Sequence, residues 1–160
     1  MPAYYGFTRS ATTNGTGNTC SAHVRLLTVA NQQNCAVVQL MAAMRNSTTA
    51  GSGILSVATL AATGTAGGAA YTPNEMNPKG AAAETTAFVD SSAFTSMPAV
   101  TRLFGIGFAQ TGGQGGWVAL ERDNAVTLNP NGGAAGNLSL ESFTATASQA
   151  LEVSGQFLEG

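Results

Sequence analysis

The stretch Leu151-Glu152-Val153-Ser154-Gly155-Gln156-Phe157 carries the strictest pattern in the chain. Leu151, Val153 and Phe157 fall on one side of a two-residue period, and Glu152, Ser154 and Gln156 on the other. That period marks a half-buried antiparallel β-strand, because successive side chains of a strand point to opposite faces. Other segments follow the same rule more loosely. Val24, Leu26 and Thr28 alternate against Arg25, Leu27 and Val29. Ile54–Leu60, Phe88-Val89, Val100–Phe108, Trp117–Leu120 and Ala125–Leu128 read as further strands. Leu138–Glu141 alternates before the phase slips into Phe143–Ala147, which predicts a β-bulge near Ser142. Cys35–Met44 fits both periods: Val37, Leu40, Met41 and Met44 lie at helical spacing, while Val38, Leu40, Ala42 and Met44 lie at strand spacing. The strand reading is preferred because every clear segment elsewhere is a strand.

Between these segments lie turn formers. Asn46–Gly53, Ala62–Gly68, Gly112–Gly116 and Asn129-Pro130-Asn131-Gly132-Gly133 are rich in Gly, Asn, Ser and Thr. The first of these joins Ala36–Asn46 to Ile54–Leu60 and predicts a hairpin. Residues 61–87 are poor in large apolar side chains. Tyr71–Gly80 holds two of the five prolines and reads as a long excursion of the kind that is functional or partner-bound. About eight short β segments separated by turn signals predict an all-β fold, an antiparallel β-sandwich with a jelly roll as the expected arrangement. Residues 1–18 read as an extended N-terminal arm, and 19–160 as a single β-sandwich domain. Tyr4, Tyr5 and Phe7 open the arm and are candidate subunit or capsid contacts. The alternative is that they pack on their own domain.

Composition limits the chemistry. Charged residues make up 9% of the chain, against about 25% in an average domain. Ala, Gly, Thr and Ser together make up half of it. The commonest route to solubility for such a chain is to use much of its surface as a partner surface. The six cations, Arg9, Arg25, Arg45, Lys79, Arg102 and Arg122, are scattered, and the net charge is −2. Neither nucleic acid nor an anionic membrane has an electrostatic footprint to meet. No apolar run approaches the roughly 18 residues of a membrane span. Met1–Gly6 lacks the basic and apolar regions of a secretory leader, so synthesis in the cytoplasm is expected. On that expectation Asn46-Ser47-Thr48 and Asn137-Leu138-Ser139 are chance glycosylation motifs. Cys20 and Cys35 do not make a disulfide framework. They flank Val24–Ala30 and a hairpin would let them face each other, but a reducing compartment predicts two free, buried thiols.

No catalytic constellation stands out. His23 is the single histidine, without a nucleophile and acid at a recognisable spacing. Cys20 and His23 with Cys35 fall short of the four ligands of a structural zinc site. Glu121 and Asp123 flank Arg122 and read as a solvated turn. Gly105-Ile106-Gly107 starts like a dinucleotide fingerprint, but Gln110 stands where the third glycine belongs and no helix follows. The Gly112–Gly116 run lacks the Lys and Ser/Thr of a phosphate loop. Trp117 reads as core first and as a sugar-stacking platform second. No catalytic residue, metal or cofactor is expected.

The order of segments resembles small tailed-phage virion proteins of the capsid decoration, or cement, type. Three pieces carry the resemblance: Ala36–Asn46 with Ile54–Leu60, Thr72-Pro73 through Met76-Asn77-Pro78 with the Ala- and Thr-rich residues after it, and Val126–Gly133 with Leu138–Ala147 and Leu151–Phe157. The resemblance implies a non-enzymatic structural role in the virion, assembled in the host cytoplasm. Copies would form a homotrimer and clamp the major capsid protein, or another virion protein, on the outer shell. The Tyr-rich arm and the two cysteines depart from that pattern. Other readings are a carbohydrate-binding or adhesin module, which needs Trp117 or the Tyr71 segment exposed, a TNF-like trimeric ligand module, which should be secreted, and an enzyme dependent on His23.

Overall fold

A computed structural model describes residues 3–12, 24–27, 34–44, 52–60, 69–76, 83, 85–89, 100–109, 111–128, 137–144 and 150–160. These hold twelve strands and one 3-10 turn, with no α-helix among the described residues. The strands are β1 (Ala3–Thr12), β2 (Val24–Leu27), β3 (Cys35–Met44), β4 (Ser52–Leu60), β5 (Ala69–Tyr71), β6 (Asn74–Glu75), β7 (Thr86–Val89), β8 (Val100–Ala109), β9 (Gln114–Val118), β10 (Val126–Leu128), β11 (Asn137–Thr144) and β12 (Ala150–Glu159). The 3-10 turn η1 spans Arg122–Asn124.

The strands form two six-stranded antiparallel sheets. The first runs β6-β1-β12-β3, and the far side of β3 takes β10 along Cys35–Val37 and β9 along Gln39–Ala43. The second runs β5-β7-β2-β11-β4-β8. One buried cluster draws on both: Tyr5, Phe7, Val37, Leu40, Leu151, Val153 and Phe157 from the first sheet, and Leu55, Val57, Ile106, Phe108, Leu138 and Leu140 from the second. The all-β, antiparallel expectation therefore holds, and Cys35–Met44 is a strand. Leu151, Val153 and Phe157 share the buried face of β12, as their spacing requires.

Residues 3–12 are not an arm. They form β1 and pair with β12 along their whole length, from Ala3 opposite Glu159 to Thr12 opposite Ala150. The physical reason lies in the aromatics. Tyr5 stacks on Phe157 with ring centroids 5.5 Å apart, and Phe7 lies opposite Gly155. Both side chains are buried, so their apolar area stabilises the parent domain. Residues 13–18 lie outside the described residues.

Two further expectations are corrected. Ala36–Asn46 and Ile54–Leu60 do not form a hairpin, because β3 and β4 belong to different sheets. Both sides of β3 are already taken, one by β12 and the other by β9 and β10. There is also no bulge at Ser142, since β11 pairs with β4 in unbroken register from Leu138 opposite Thr59 to Thr144 opposite Gly53. The register shifts instead between Gln156 and Phe157 on β12, and between Val57 and Ala58 on β4. After the first shift Phe157, Leu158 and Glu159 are buried consecutively. The 61–87 excursion contains β5, β6 and the start of β7, so its described part adds edge strands to both sheets.

Two glycines are required by close approach. A Cβ at Gly155 would lie 2.6 Å from Phe7 Cζ and 2.8 Å from the Gln39 carbonyl oxygen. A Cβ at Gly115 would collide with the Gly107 carbonyl where β8 and β9 bring the two sheets together. Gly107 itself faces open space. We expect Gly155→Ala to lower stability by about 1–3 kcal/mol, the usual cost of overpacking, and Gly107→Ala to stay within about 0.5 kcal/mol of the parent. Urea denaturation of the two variants checks the contrast.

Candidate functional site

The face of the first sheet turned away from the core spans five strands, β6, β1, β12, β3 and β9. Strand alternation puts Tyr4, Gly6, Thr8 and Ser10 of β1 on that face, because Tyr5 and Phe7 point inward. Register then builds rows across the sheet. One row reads Asn74, Gly6, Gln156, Gln39 and Val118 across β6, β1, β12, β3 and β9. The next reads Thr8, Ser154, Met41 and Gly116, and a third reads Ser10, Glu152, Ala43 and Gln114. Glu152 is the only ionisable side chain in these three rows, and it stands at the rim.

An open recess of about 480 Å³ sits in the middle of this face, floored by Gly6 and lined by Thr8, Gln39, Met41, Asn74, Met76 and Gln156 among others. Gln39 Nε2 donates to Met41 Sδ at 3.4 Å. The lining is neutral, formed by amides, hydroxyls and thioethers. Amide and hydroxyl side chains both donate and accept hydrogen bonds. Such a surface is suited to recognition by shape and hydrogen bonding, and none of its lining side chains is ionisable in the physiological range.

The residues singled out from sequence scatter. Tyr5 and Phe7 are core residues and cannot serve as external contacts. Tyr4 is exposed on the neutral face, and its carbonyl accepts the Met76 N–H at 2.9 Å. Trp117 is half-buried and packs on Phe104, with ring centroids 4.9 Å apart and planes tilted by 39°. Glu121 and Asp123 are exposed around η1. Gly105-Ile106-Gly107 lies inside β8, with none of the strand-to-helix geometry that phosphate binding needs. Gly112 adopts φ of 87° in the turn before β9, while Gln114–Gly116 is strand. His23 and Cys20 lie outside the described residues. Among the described residues no three His, Cys, Asp or Glu side chains gather to hold a metal.

One buried polar group was not legible from sequence. The Glu159 carboxylate accepts the Thr85 backbone N–H at 2.5 Å, and Cys35 sits beside both. Burial pushes the Cys35 thiol from its ordinary 9.0 up to about 12; the Thr85 hydrogen bond pulls against that, and the Glu159 charge adds to it. A thiol held protonated is neither a nucleophile nor a metal ligand. Glu159 and Thr85 stand 74 positions apart, and no local pattern links them. Asn74 and Met76 were also missed as lining residues, because only the pairing of β6 with β1 brings them to the recess.

Two outcomes follow for Cys35. In a Cys20→Ser background it should resist a thiol reagent at pH 8 in the native state and react fully once unfolded. Between pH 9 and about 12 the native state keeps a proton that the unfolded chain has lost, so this group's stabilisation is complete below pH 9 and is lost as pH rises. Cys35→Ala should flatten the alkaline decline by up to about 1.4 kcal/mol per pH unit, read from urea melts across that range. Compared with protein-family models, curated proteins and solved structures, the chain has no match.

Proposed function

We propose that this chain is a non-enzymatic structural protein of a tailed-phage virion, a capsid decoration protein. It folds as a jelly-roll β-sandwich, self-associates as a trimer and binds the outer capsid to stabilise the shell. The structural observation that supports the fold in this reading is the strand order. Setting aside the short β5, β6 and β7, the first sheet is β1-β12-β3 followed by β9 and β10, and the second is β2-β11-β4-β8. The first and last strands are neighbours, and the chain passes from sheet to sheet between β1, β2, β3 and β4. That order supports the jelly-roll reading, an architecture used by capsid and lectin domains. Fold alone does not assign function. The virion role rests on the sequence resemblance, and the neutral outer face supports binding over catalysis. A shell protein acts through many copies, so each contact can be modest.

The carbohydrate-binding reading has less support, because one face of the Trp117 ring packs on Phe104. The experiment that tests the main reading is the solution mass at low and high salt, followed by mixing with capsids of the phage that encodes the chain. We expect a particle of three times the 16.0 kDa of one chain, insensitive to salt because few charges meet, and co-sedimentation with the shells. A monomer that stays in the supernatant overturns the reading. Tryptophan emission that shifts on adding a glycan would favour the carbohydrate alternative.

A further inference from the structure

We infer that the neutral outer face of the first sheet is where a second copy of this chain packs, with the β1/β6 flank of one copy meeting the β9 flank of the next. This rests on the self-association in the proposed function and assigns it a surface. Three observations select a like copy over a foreign partner.

The first is charge. Symmetry brings identical or neighbouring surfaces together, so a charged face repels itself. The two central rows, from Asn74 to Val118 and from Thr8 to Gly116, hold no ionisable side chain. The second is hydrogen bonding. Gln156 and Ser154 lie on β12, the middle of the five strands that span this face. An axis along β12 sets them against their own counterparts, and amides and hydroxyls pair with themselves because each both donates and accepts. The third is that three exposed apolar side chains flank this face, while Ile54 and Leu103 are exposed on the second sheet and Leu120 in the segment after β9. Tyr4 is 48% and Met76 53% exposed at one flank, and Val118 is 57% exposed at the other. The same axis, twofold or threefold, brings one flank onto the other and covers all three. Gly6 leaves the recess open between them.

Because Tyr4 and Val118 are exposed, charges there leave the isolated fold intact. We expect Tyr4→Lys and Val118→Asp each to weaken association at least tenfold in light scattering over a dilution series. The double variant should restore it, because the new charges meet between copies. Within one chain β12 and β3 separate β1 from β9, so an internal pair does not explain restoration. Thr101→Lys, on the exposed edge strand β8, should behave as the parent. Circular dichroism reports the fold throughout. If a charged variant fails to fold, Tyr4→Cys protein mixed with Val118→Cys protein should oxidise to an inter-chain disulfide where Thr101→Cys does not. A parent that is monomeric overturns both this inference and the self-association it rests on. A parent oligomer that tolerates both single variants, or that the double variant does not restore, overturns the assigned surface alone.

Discussion

The insertion of β12 between β1 and β3 is the constraint on which the rest depends. β12 pairs with β1 along ten residues and with β3 along nine. Its inward side chains Leu151, Val153 and Phe157 are fully buried. Phe157 stacks on Tyr5, and Gly155 gives Phe7 room beside the Gln39 carbonyl. The N- and C-terminal segments thus form the centre of one sheet. Nearly all of this pairing is remote in sequence, so its loop-closure entropy is lost before most contacts form. The aromatics near the start of the chain supply the apolar burial that offsets that cost.

A second constraint closes the fold at the β8–β9 corner. The chain leaves the second sheet at Ala109 and enters the first at Gln114. The Gly113 N–H donates to the Ala109 carbonyl at 3.0 Å, and the Met44 N–H to the Gly113 carbonyl at 3.1 Å. Gly115, lacking a Cβ, lets its backbone approach the Gly107 carbonyl, and Phe104 packs with Trp117 on the same pair of strands. The glycine-rich stretch is therefore a packing device. Its resemblance to a nucleotide-binding loop is compositional. Toward the other end of β8, the register shift against β4 leaves Leu103 without a partner on β4 and exposed. A bulge of this kind, next to an exposed Arg102, disrupts the regular edge that another strand would extend.

What was legible in the sequence was the local part. Alternation in Leu151–Phe157 identified both the strand and its buried face, since a period of two needs only one face to be apolar. Cys35–Met44 was ambiguous for a physical reason: β3 has buried residues on both parities, with Ala36 as well as Cys35 and Val37 in the interior. The hairpin between β3 and β4 failed because a Gly/Ser/Thr turn suits a crossing between sheets as well as a reversal within one. The arm was misread for a similar reason. Tyr4, Tyr5 and Phe7 announce apolar area, but only the register with β12 tells which of them points inward. The neutral face is a product of pairing across five strands, and its rows join residues such as Gly6, Gln39, Gln156 and Val118 that share no sequence neighbourhood.

The scarcity of charge then gains a structural meaning. A half-exposed sheet ordinarily carries Lys, Arg, Asp and Glu on its solvent side. Here the central positions of that side are Gly, Thr, Ser, Gln and Met. Removing such groups from water costs less than removing ions, provided their hydrogen bonds are replaced. Glu159, the buried acid, is instead tied to Thr85 in the interior, where it plays no part in external recognition. Cys35 beside it is buried and held as a thiol, which keeps the one described cysteine from reacting. Among the described residues the same arrangement presents a broad, neutral sheet face, where association would be governed by shape and hydrogen-bond pairing, with little dependence on salt.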